Sequence, residues 1–338
     1  MTTSSSKPRV VVYKPLPDAA MTKLASHFEL LHVDTGGADG AAALKAALVD
    51  ADGAIGSSVT IDADAVSGAH RLKVLSTVSV GIDKFDVADL TARGIILTHT
   101  PNVLTETTAD LVFALLIGAA RRVTELSDYV RSGAWEKSGR GIGPAQFAFD
   151  VHHKTLGVIG FGRIGQAVAK RGALGFGMKV LYTSPRHAHD AERAIGAERV
   201  SLDELLEKSD FVCLQAPLTE KTRHMMGAEQ FAKMKRGAII VNGGRGPLID
   251  EAALAEALRS GHLGGAGLDV FDQEPLPASA PLLTFPNVLA LPHAGSATQE
   301  TRDAMAMDAV ENLISVLVSG PPLNVANPDV LTSSAVAR

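Results

Sequence analysis

Hydrophobic and polar positions along the chain fall into two alternating kinds of segment. Short runs rich in β-branched residues, such as 9–12 and 73–78, are separated by Ala- and Leu-rich stretches that favour helices. This alternation is typical of parallel sheets whose strands are joined by crossover helices. The pattern therefore predicts an α/β fold.

The predicted strands form two series. The first series is 9–12, 28–33, 54–57, 73–78 and 95–99, and the second is 155–160, 179–182, 211–215, 238–242, 266–269 and 288–291. A chain of 338 residues also exceeds the size at which a single hydrophobic core normally keeps growing. We therefore expect two doubly wound, Rossmann-like parallel sheets in separate domains.

Two long helical stretches indicate how these domains are connected. A helix predicted over about 104–132 follows the break at Pro101 and Asn102 and leads into the second series of strands. Another, over about 298–318, follows the last strand and is expected to pack on the first domain. The sequence thus predicts a discontinuous domain of residues 1–102 plus 297–338, and a second domain of residues 103–296.

Composition narrows the class of protein. The 37 acidic and 32 basic residues are spread along the chain, so no basic stripe is available for a nucleic acid. The single cysteine, Cys213, lies in an apolar run and cannot form a disulfide within the chain. The first six residues are polar, and the longest apolar run, 111–120, is too short to span a bilayer. We expect a cytoplasmic protein that binds neither nucleic acid nor membrane.

A glycine-rich motif joins the first strand of the second series to a helix. Gly160, Gly162 and Gly165 form a G-x-G-x-x-G pattern, with Arg163 and Ile164 between the last two. In such a turn the first glycine bends the chain, the second lets the backbone approach a pyrophosphate, and the third lets the helix pack on the strand. Backbone N–H groups at the helix start then hold the anion. These five residues are predicted to bind a dinucleotide.

The end of the next strand indicates which dinucleotide is preferred. An NAD site usually places Asp or Glu there to bind the ribose 2'-hydroxyl, but the segment 182–186 contains no carboxylate. Ser184 and Arg186 can instead bind a 2'-phosphate, because a guanidinium matches the planar geometry of that group. The prediction is NADPH, with NADH as a weaker cofactor.

Three further segments follow predicted strands of the second sheet, and each carries one charged or titratable residue. They are 241–246 with Arg245, 267–276 with Glu274, and 291–295 with His293. The carboxyl ends of parallel strands share one edge of a sheet, so these three side chains are expected to converge beside the cofactor.

At this point the sequence resembles the D-isomer-specific 2-hydroxyacid dehydrogenases, over about residues 8–328. The motifs that carry the resemblance are 154–165, 242–250, 267–276 and the pair Pro292-His293. Within the family the chain is most similar to bacterial glyoxylate/hydroxypyruvate reductases that also accept 2-ketogluconate. The resemblance implies NAD(P)H-dependent reduction of small 2-keto acids to D-2-hydroxy acids, in the cleft between a substrate-binding domain and a dinucleotide-binding domain.

The resemblance also assigns roles to residues. Arg245, Glu274 and His293 are implied as the catalytic triad, with His293 donating a proton, Glu274 stabilising the protonated imidazole, and Arg245 binding and polarising the substrate. Ser79, Val80 and Gly81 are implied to bind the substrate carboxylate through backbone N–H groups. Further cofactor contacts are implied for Thr107, Ala216, Pro217, Gly243, Asp269 and Gly295, although Gly243 is alanine in many relatives. In related dimers a tryptophan at the position of Trp135 reaches the partner's active site, so a homodimer is expected.

Two alternative functions stay open, and a metal site is not expected. Phosphoglycerate dehydrogenase chemistry remains an alternative, although the acidic ribose-binding residue is missing. A non-catalytic NAD(H)-sensing corepressor on the same scaffold is the second, although the Arg, Glu and His set is complete. A metal site is not expected, because no carboxylate or cysteine set accompanies His187 and His189 in the sequence, and hydride transfer needs no metal.

Overall fold

The structure is a computed structural model that describes residues 7–332. Its strands are β1 (Arg9–Val12), β2 (Glu29–His32), β3 (Gly53–Gly56), β4 (Val74–Thr77), β5 (Ile96–Thr98), β6 (Thr155–Ile159), β7 (Lys179–Thr183), β8 (Glu198–Arg199), β9 (Phe211–Leu214), β10 (Ile239–Asn242), β11 (Gly265–Leu268) and β12 (Val288–Ala290). Its α-helices are α1 (Asp18–His27), α2 (Gly40–Leu48), α3 (Val87–Ala92), α4 (Thr105–Ala120), α5 (Val123–Arg131), α6 (Ala134–Ser138), α7 (Arg163–Phe176), α8 (His189–Ile195), α9 (Leu202–Lys208), α10 (Ala228–Lys233), α11 (Glu251–Arg259) and α12 (Gln299–Leu317).

One compact unit consists of residues 7–104 together with 297–332. Its five strands are parallel in the order β2-β1-β3-β4-β5, which is a doubly wound arrangement. Helix α12 belongs to this unit although it comes last in the chain. The Ser76 hydroxyl of β4 donates a hydrogen bond of 2.8 Å to the Ala309 carbonyl, and the Asn312 amide donates one of 2.9 Å to the His99 carbonyl. The helix thus completes a sheet that was begun about 300 residues earlier.

The other unit, Thr105–Ser296, contains a seven-stranded parallel sheet in the order β12-β11-β10-β9-β6-β7-β8. From β8 to β11 this is the Rossmann order, and β12 adds one more strand at the edge. The central strands β6, β9, β10 and β11 are almost entirely buried, and hydrophobic clusters cover both faces of the sheet. The prediction of an α/β protein with two doubly wound parallel sheets is confirmed.

The single long helix predicted over 104–132 is wrong, because the structure has α4 and α5 with a break between them. Arg122 at the break adopts a left-handed backbone conformation with φ of 52°. Its guanidinium bonds both carboxylate oxygens of Glu125, at 2.6 and 2.7 Å, and the Ala145 carbonyl at 2.5 Å. These contacts turn the chain in a way that helical periodicity cannot reveal. No helix within residues 7–332 has the length and apolar character needed to cross a membrane.

Candidate active site

The glycine motif has the local structure that the sequence predicts. Strand β6 ends at Ile159, Gly160 turns the chain with φ of 89°, and Gly162 is the N-cap of α7. A Cβ atom at Gly160 would lie 2.5 Å from the backbone nitrogen of Ala216, and one at Gly165 would lie 2.3 Å from the carbonyl oxygen of Gly160. Both positions therefore exclude any larger residue.

Gly162 differs from the other two glycines of the motif. A Cβ atom built there meets nothing within 4 Å, so the backbone at the start of α7 faces open space. The helix has 14 residues, and Arg163 and Ile164 form its first turn. An open helix N-terminus behind a glycine turn fits a pyrophosphate, because its N–H groups have no partners within the helix. The residues present therefore fit a dinucleotide.

Asn242 fixes the loop that carries Arg245. This buried side chain ends β10, its amide donates to the Arg245 carbonyl at 2.9 Å, and its carbonyl oxygen accepts from the Gly244 N–H at 3.1 Å. A Cβ atom at Gly243 would lie 2.3 Å from Cγ2 of Val112, so a larger residue there would require the Val112 side chain to move. The Arg245 guanidinium donates to the Gly244 carbonyl at 2.8 Å and is partly buried. The sequence singled out Arg245 but not the asparagine that positions it.

Asp269 follows β11 and holds the loop that carries His293. Its two carboxylate oxygens accept hydrogen bonds from the N–H groups of Ala294 and Gly295, at 2.7 and 2.8 Å. The His293 N–H donates to the Asp269 carbonyl at 2.8 Å. Burial raises the pKa of Asp269, and the two backbone hydrogen bonds only partly offset this effect. Both carboxylate oxygens thus bond protein N–H groups, which adds a positioning role to the expected cofactor contact.

Glu274 and His293 form the pair that the sequence predicts. Nδ1 of His293 lies 2.8 Å from Oε2 of Glu274, and Oε1 accepts from the Phe271 N–H at 3.0 Å. Burial acts to raise the pKa of Glu274. The hydrogen bonds from His293 and Phe271, with the charges of His293 and Arg245, outweigh burial and lower it. Glu274 therefore stays ionised beside the imidazole.

The second ring nitrogen of His293 is available for chemistry. Nε2 has no hydrogen-bond partner among residues 7–332, and the side chain is about half exposed, at 52%. The backbone at His293 is left-handed, with φ of 53°, an unfavourable conformation for a residue other than glycine. Such local strain is found where surrounding contacts impose a functional orientation. Here the contacts of Asp269 and Glu274 impose it.

Ser79, Val80 and Gly81 lie in the loop after β4 of the first unit. The Ser79 hydroxyl donates to the Gly81 carbonyl at 2.8 Å, and the Ser79 and Val80 carbonyls accept from Thr100 and His99. The backbone N–H groups of Ser79, Val80 and Gly81 form no hydrogen bond within the described part of the chain. The loop is therefore held by its carbonyls and leaves its donors available for an anion.

Ser184 and Arg186 follow β7 beside the glycine motif. The Thr183 carbonyl at the end of β7 accepts a hydrogen bond of 3.0 Å from the Gly160 N–H. The Arg186 side chain is exposed and forms neither a hydrogen bond nor an ion pair within residues 7–332. This is the position at which a Rossmann sheet meets the ribose 2' position.

The expectation that no carboxylate accompanies His187 and His189 is wrong. Glu192, in the first turn of α8, brings its oxygens within 2.8 Å of Nδ1 of His187 and 2.9 Å of Nδ1 of His189. The ligand atoms of these three residues all lie within 4.8 Å of one another. The spacing His189-x-x-Glu192 at a helix start was the signal in the sequence, since residues three apart share a helix face.

The other predicted contacts are distributed over the second unit. Thr107 lies in the first turn of α4, Ala216 and Pro217 follow β9 next to the glycine turn, and Gly295 packs against Asp269. Sequence reasoning missed Gln215, whose amide nitrogen is buried without a hydrogen-bond partner in the described residues. Trp135 lies on α6, far from strand ends in sequence, with 51% of its surface exposed and its indole N–H donated to the Arg140 carbonyl at 3.0 Å.

The sequence of this chain is similar to those of known proteins over most of its length. Residues 113–295 match the family model described as D-isomer specific 2-hydroxyacid dehydrogenase, NAD binding domain. The chain is 51% identical over 324 residues to glyoxylate/hydroxypyruvate reductase B of Citrobacter koseri, covering 96% of this chain and 99% of that one. It is 52% identical over 325 residues to the protein of the same name from Yersinia pestis, with the same coverage.

A solved structure extends the likeness to the fold. An NADPH-dependent glyoxylate/hydroxypyruvate reductase from Sinorhizobium meliloti, in complex with NADP and malonate, shares 30% sequence identity and has a TM-score of 0.84. The match covers 98% of each chain. Together with the glycine motif and the paired His293 and Glu274, these matches show that this chain belongs to the D-isomer specific 2-hydroxyacid dehydrogenase family.

Proposed function

We propose that this protein reduces small 2-keto acids, with glyoxylate and hydroxypyruvate as its main substrates, to D-2-hydroxy acids, and that 2-ketogluconate is a further substrate. The observation that carries the proposal is the pairing of His293 with Glu274 while Nε2 of the ring stays open. An imidazole in that arrangement can donate a proton to a substrate through Nε2. The names of the relatives from Citrobacter koseri and Yersinia pestis support this substrate class.

Each side chain has a defined task in the proposed reaction. The bound reduced nicotinamide supplies the hydride that is added to the keto carbon. Nε2 of His293 donates the proton that the carbonyl oxygen takes up, and Glu274 stabilises the protonated ring before that transfer. The Arg245 guanidinium binds the substrate carboxylate and polarises the carbonyl, since it offers several donors in a planar fork. The free N–H groups of Ser79, Val80 and Gly81 support a role in binding the same carboxylate.

We infer that NADPH is preferred over NADH. Ser184 and Arg186 follow the strand that pairs with the glycine motif, and the guanidinium of Arg186 has no partner within residues 7–332. The reductase from Sinorhizobium meliloti is named as NADPH-dependent, which supports the same preference here. The chain's only cysteine cannot form a disulfide within it, in keeping with the reducing cytoplasm, where we expect the enzyme to act.

A substrate panel tests the proposed activity. Purified protein is assayed with glyoxylate, hydroxypyruvate, pyruvate, phenylpyruvate, 2-ketogluconate and 3-phosphohydroxypyruvate, each with NADPH and with NADH. The expected result is the highest kcat/KM for glyoxylate or hydroxypyruvate with NADPH. Preference for 3-phosphohydroxypyruvate would favour phosphoglycerate dehydrogenase chemistry, and cofactor binding without turnover of any acid would favour the corepressor role.

We also propose a homodimer that covers the segment 123–149. Half of the twelve most exposed large hydrophobic side chains among residues 7–332 lie in this segment: Val123, Val130, Trp135, Ile142, Phe147 and Phe149. Exposed apolar residues concentrated in one short segment mark an interaction surface. Phe147→Glu combined with Ile142→Glu should shift the mass measured by light scattering from dimer to monomer. Leu174→Glu, at a residue that is 66% exposed but outside the segment, is the matched control. A monomeric wild-type protein would contradict the proposal.

A further inference from the structure

Arg199 lies beside the segment that is proposed to read the 2'-phosphate. It ends the two-residue strand β8 and pairs with Tyr182 of β7. Its Nε donates to the Ser184 carbonyl at 2.9 Å, and Nη2 donates to the Pro185 carbonyl at 3.3 Å. One guanidinium thus holds the two carbonyls that immediately precede Arg186.

His187 connects Arg199 to a carboxylate on the other side of the segment. Its Nε2 lies 3.3 Å from Nη1 of Arg199, and its Nδ1 lies 2.8 Å from Oε1 of Glu192. Arginine can only donate hydrogen bonds, so Nε2 must accept and the ring proton must be on Nδ1. The imidazole therefore completes a continuous chain of hydrogen bonds from Arg199 to Glu192.

Glu192 connects these hydrogen bonds to Tyr182, a buried residue of β7. The Tyr182 hydroxyl donates to Oε1 of Glu192 at 2.6 Å and accepts from the Ala188 N–H at 3.0 Å. Hydrogen bonds from Tyr182, then His187 and His189, lower the pKa of Glu192 to about 2. The segment 184–188 is consequently held at its start by Arg199 and at its end by Tyr182.

The same contacts argue against a metal ion on His187, His189 and Glu192. A metal bound to Nδ1 of His187 would leave the ring proton on Nε2. Metal-binding histidines normally donate that proton to an acceptor, but here Nε2 faces the guanidinium of Arg199, which is a cationic donor. Hydrogen bonding within the protein therefore accounts for the cluster better than metal binding does.

We propose that Arg199 is a positioning residue for cofactor choice. By fixing the Ser184 and Pro185 carbonyls it orients the Ser184 hydroxyl and the Arg186 side chain toward the 2'-phosphate, without contacting that group itself. The inference rests on the NADPH preference proposed above. The Arg186 side chain has no partner of its own within residues 7–332, so its direction depends on the backbone that Arg199 holds. Losing such preorganisation weakens binding even though the direct contacts remain possible.

Calorimetric titration with NADP⁺ and NAD⁺ tests the proposal on the full chain. Arg199→Ala should weaken NADP⁺ binding about five- to tenfold and leave NAD⁺ binding within about twofold, because only NADP⁺ uses the oriented segment. Arg199→Lys should restore part of the loss, since one ammonium can still donate to a carbonyl. Arg193→Ala is the matched control: Arg193 is an exposed arginine of α8 that pairs with Asp190 and forms no hydrogen bond or ion pair with residues 184–187.

The possible outcomes distinguish a failure of the proposed NADPH preference from a failure of the positioning role of Arg199. A wild-type protein that binds both cofactors equally would overturn the proposed NADPH preference, and this inference with it. If the preference for NADP⁺ over NAD⁺ is as large in Arg199→Ala as in the wild type, or if both cofactors lose affinity equally, the positioning role alone is overturned. An equally large effect of Arg193→Ala would mean that charge, and not position, is responsible. If Arg199→Ala does not fold, an unchanged NADP⁺ to NAD⁺ ratio in Arg199→Lys overturns the proposal, and a reduced ratio supports it.

Discussion

The His293–Glu274 and His187–Glu192 pairs of the second unit have almost the same geometry and different surroundings. Nδ1 lies 2.8 Å from a carboxylate oxygen in both the His293–Glu274 pair and the His187–Glu192 pair. The two imidazoles are also equally exposed, at 52% and 50%. Neither the carboxylate contact nor solvent exposure therefore distinguishes them.

The second ring nitrogen is what differs. Nε2 of His187 accepts a hydrogen bond from Arg199, whereas Nε2 of His293 has no hydrogen-bond partner among residues 7–332. A general acid needs a nitrogen that can reach the substrate, while a structural imidazole uses both nitrogens inside the protein. A carboxylate beside a histidine thus indicates catalysis only when the opposite nitrogen is open.

The strongest test of this difference is to remove the imidazole of His293, whose Nε2 has no hydrogen-bond partner among residues 7–332. His293→Ala should lower kcat/KM for keto-acid reduction by about a hundredfold or more, the scale expected for loss of a general acid. Arg245→Ala should have an effect of similar size through loss of charge stabilisation. Steady-state assays with glyoxylate measure both. His152→Ala is the control, because His152 also lies near a carboxylate, Asp150 at 3.9 Å, but outside the site. Near-normal turnover by His293→Ala would remove it as the proton donor.

The residues around the His187–Glu192 pair should affect cofactor choice instead of proton transfer. Arg186→Ala is expected to lower kcat/KM for NADPH about ten- to a hundredfold, because a charge-assisted hydrogen bond contributes about 1.5 to 3 kcal/mol. NADH lacks the 2'-phosphate and should be unaffected. Thr183→Asp should act in the opposite sense, since a carboxylate repels the phosphate and can accept from a ribose hydroxyl. An NADPH-to-NADH ratio within about twofold of wild type in Arg186→Ala would contradict this assignment.

The smallest expected effect concerns stability at low pH. The pKa of Glu192 is lowered to about 2 in the folded protein, so its contribution to stability is complete above the unfolded pKa of about 4.3. That contribution is lost as the pH falls from there through 2. The difference in Tm between wild type and Glu192→Gln should therefore be largest near neutral pH and shrink in acid. Melting curves followed by circular dichroism would refute this if the difference stayed constant down to pH of about 2.5.

Sequence patterns predicted the features that depend on local order. The glycine motif, the strand ends that carry Arg245, Glu274 and His293, and the last helix all follow from periodicity and from the rule that strand ends share an edge. The break at Arg122 could not be predicted, because apolar spacing continues through it and the contacts that cause it come from residues 145 and 147.

The network around His187 was missed for similar reasons. Strand β8 has only two residues, which is too short for any alternation of polar and apolar positions to be detected. Arg199 is 12 residues from His187 in the chain and reaches it only because β8 pairs with β7. The role of such a residue depends on which strands become neighbours, and the residues nearby in sequence do not contain that information.

The discontinuous first unit has a consequence for synthesis on the ribosome. Residues 7–104 emerge early, but the Ser76 hydroxyl and the His99 carbonyl find their partners on α12, about 200 residues later. Residues 105–296 form an uninterrupted unit with its own hydrophobic clusters, so they can complete their sheet first. The strands translated first therefore wait, with the face that α12 will cover still exposed, until residues 299–317 have left the exit tunnel.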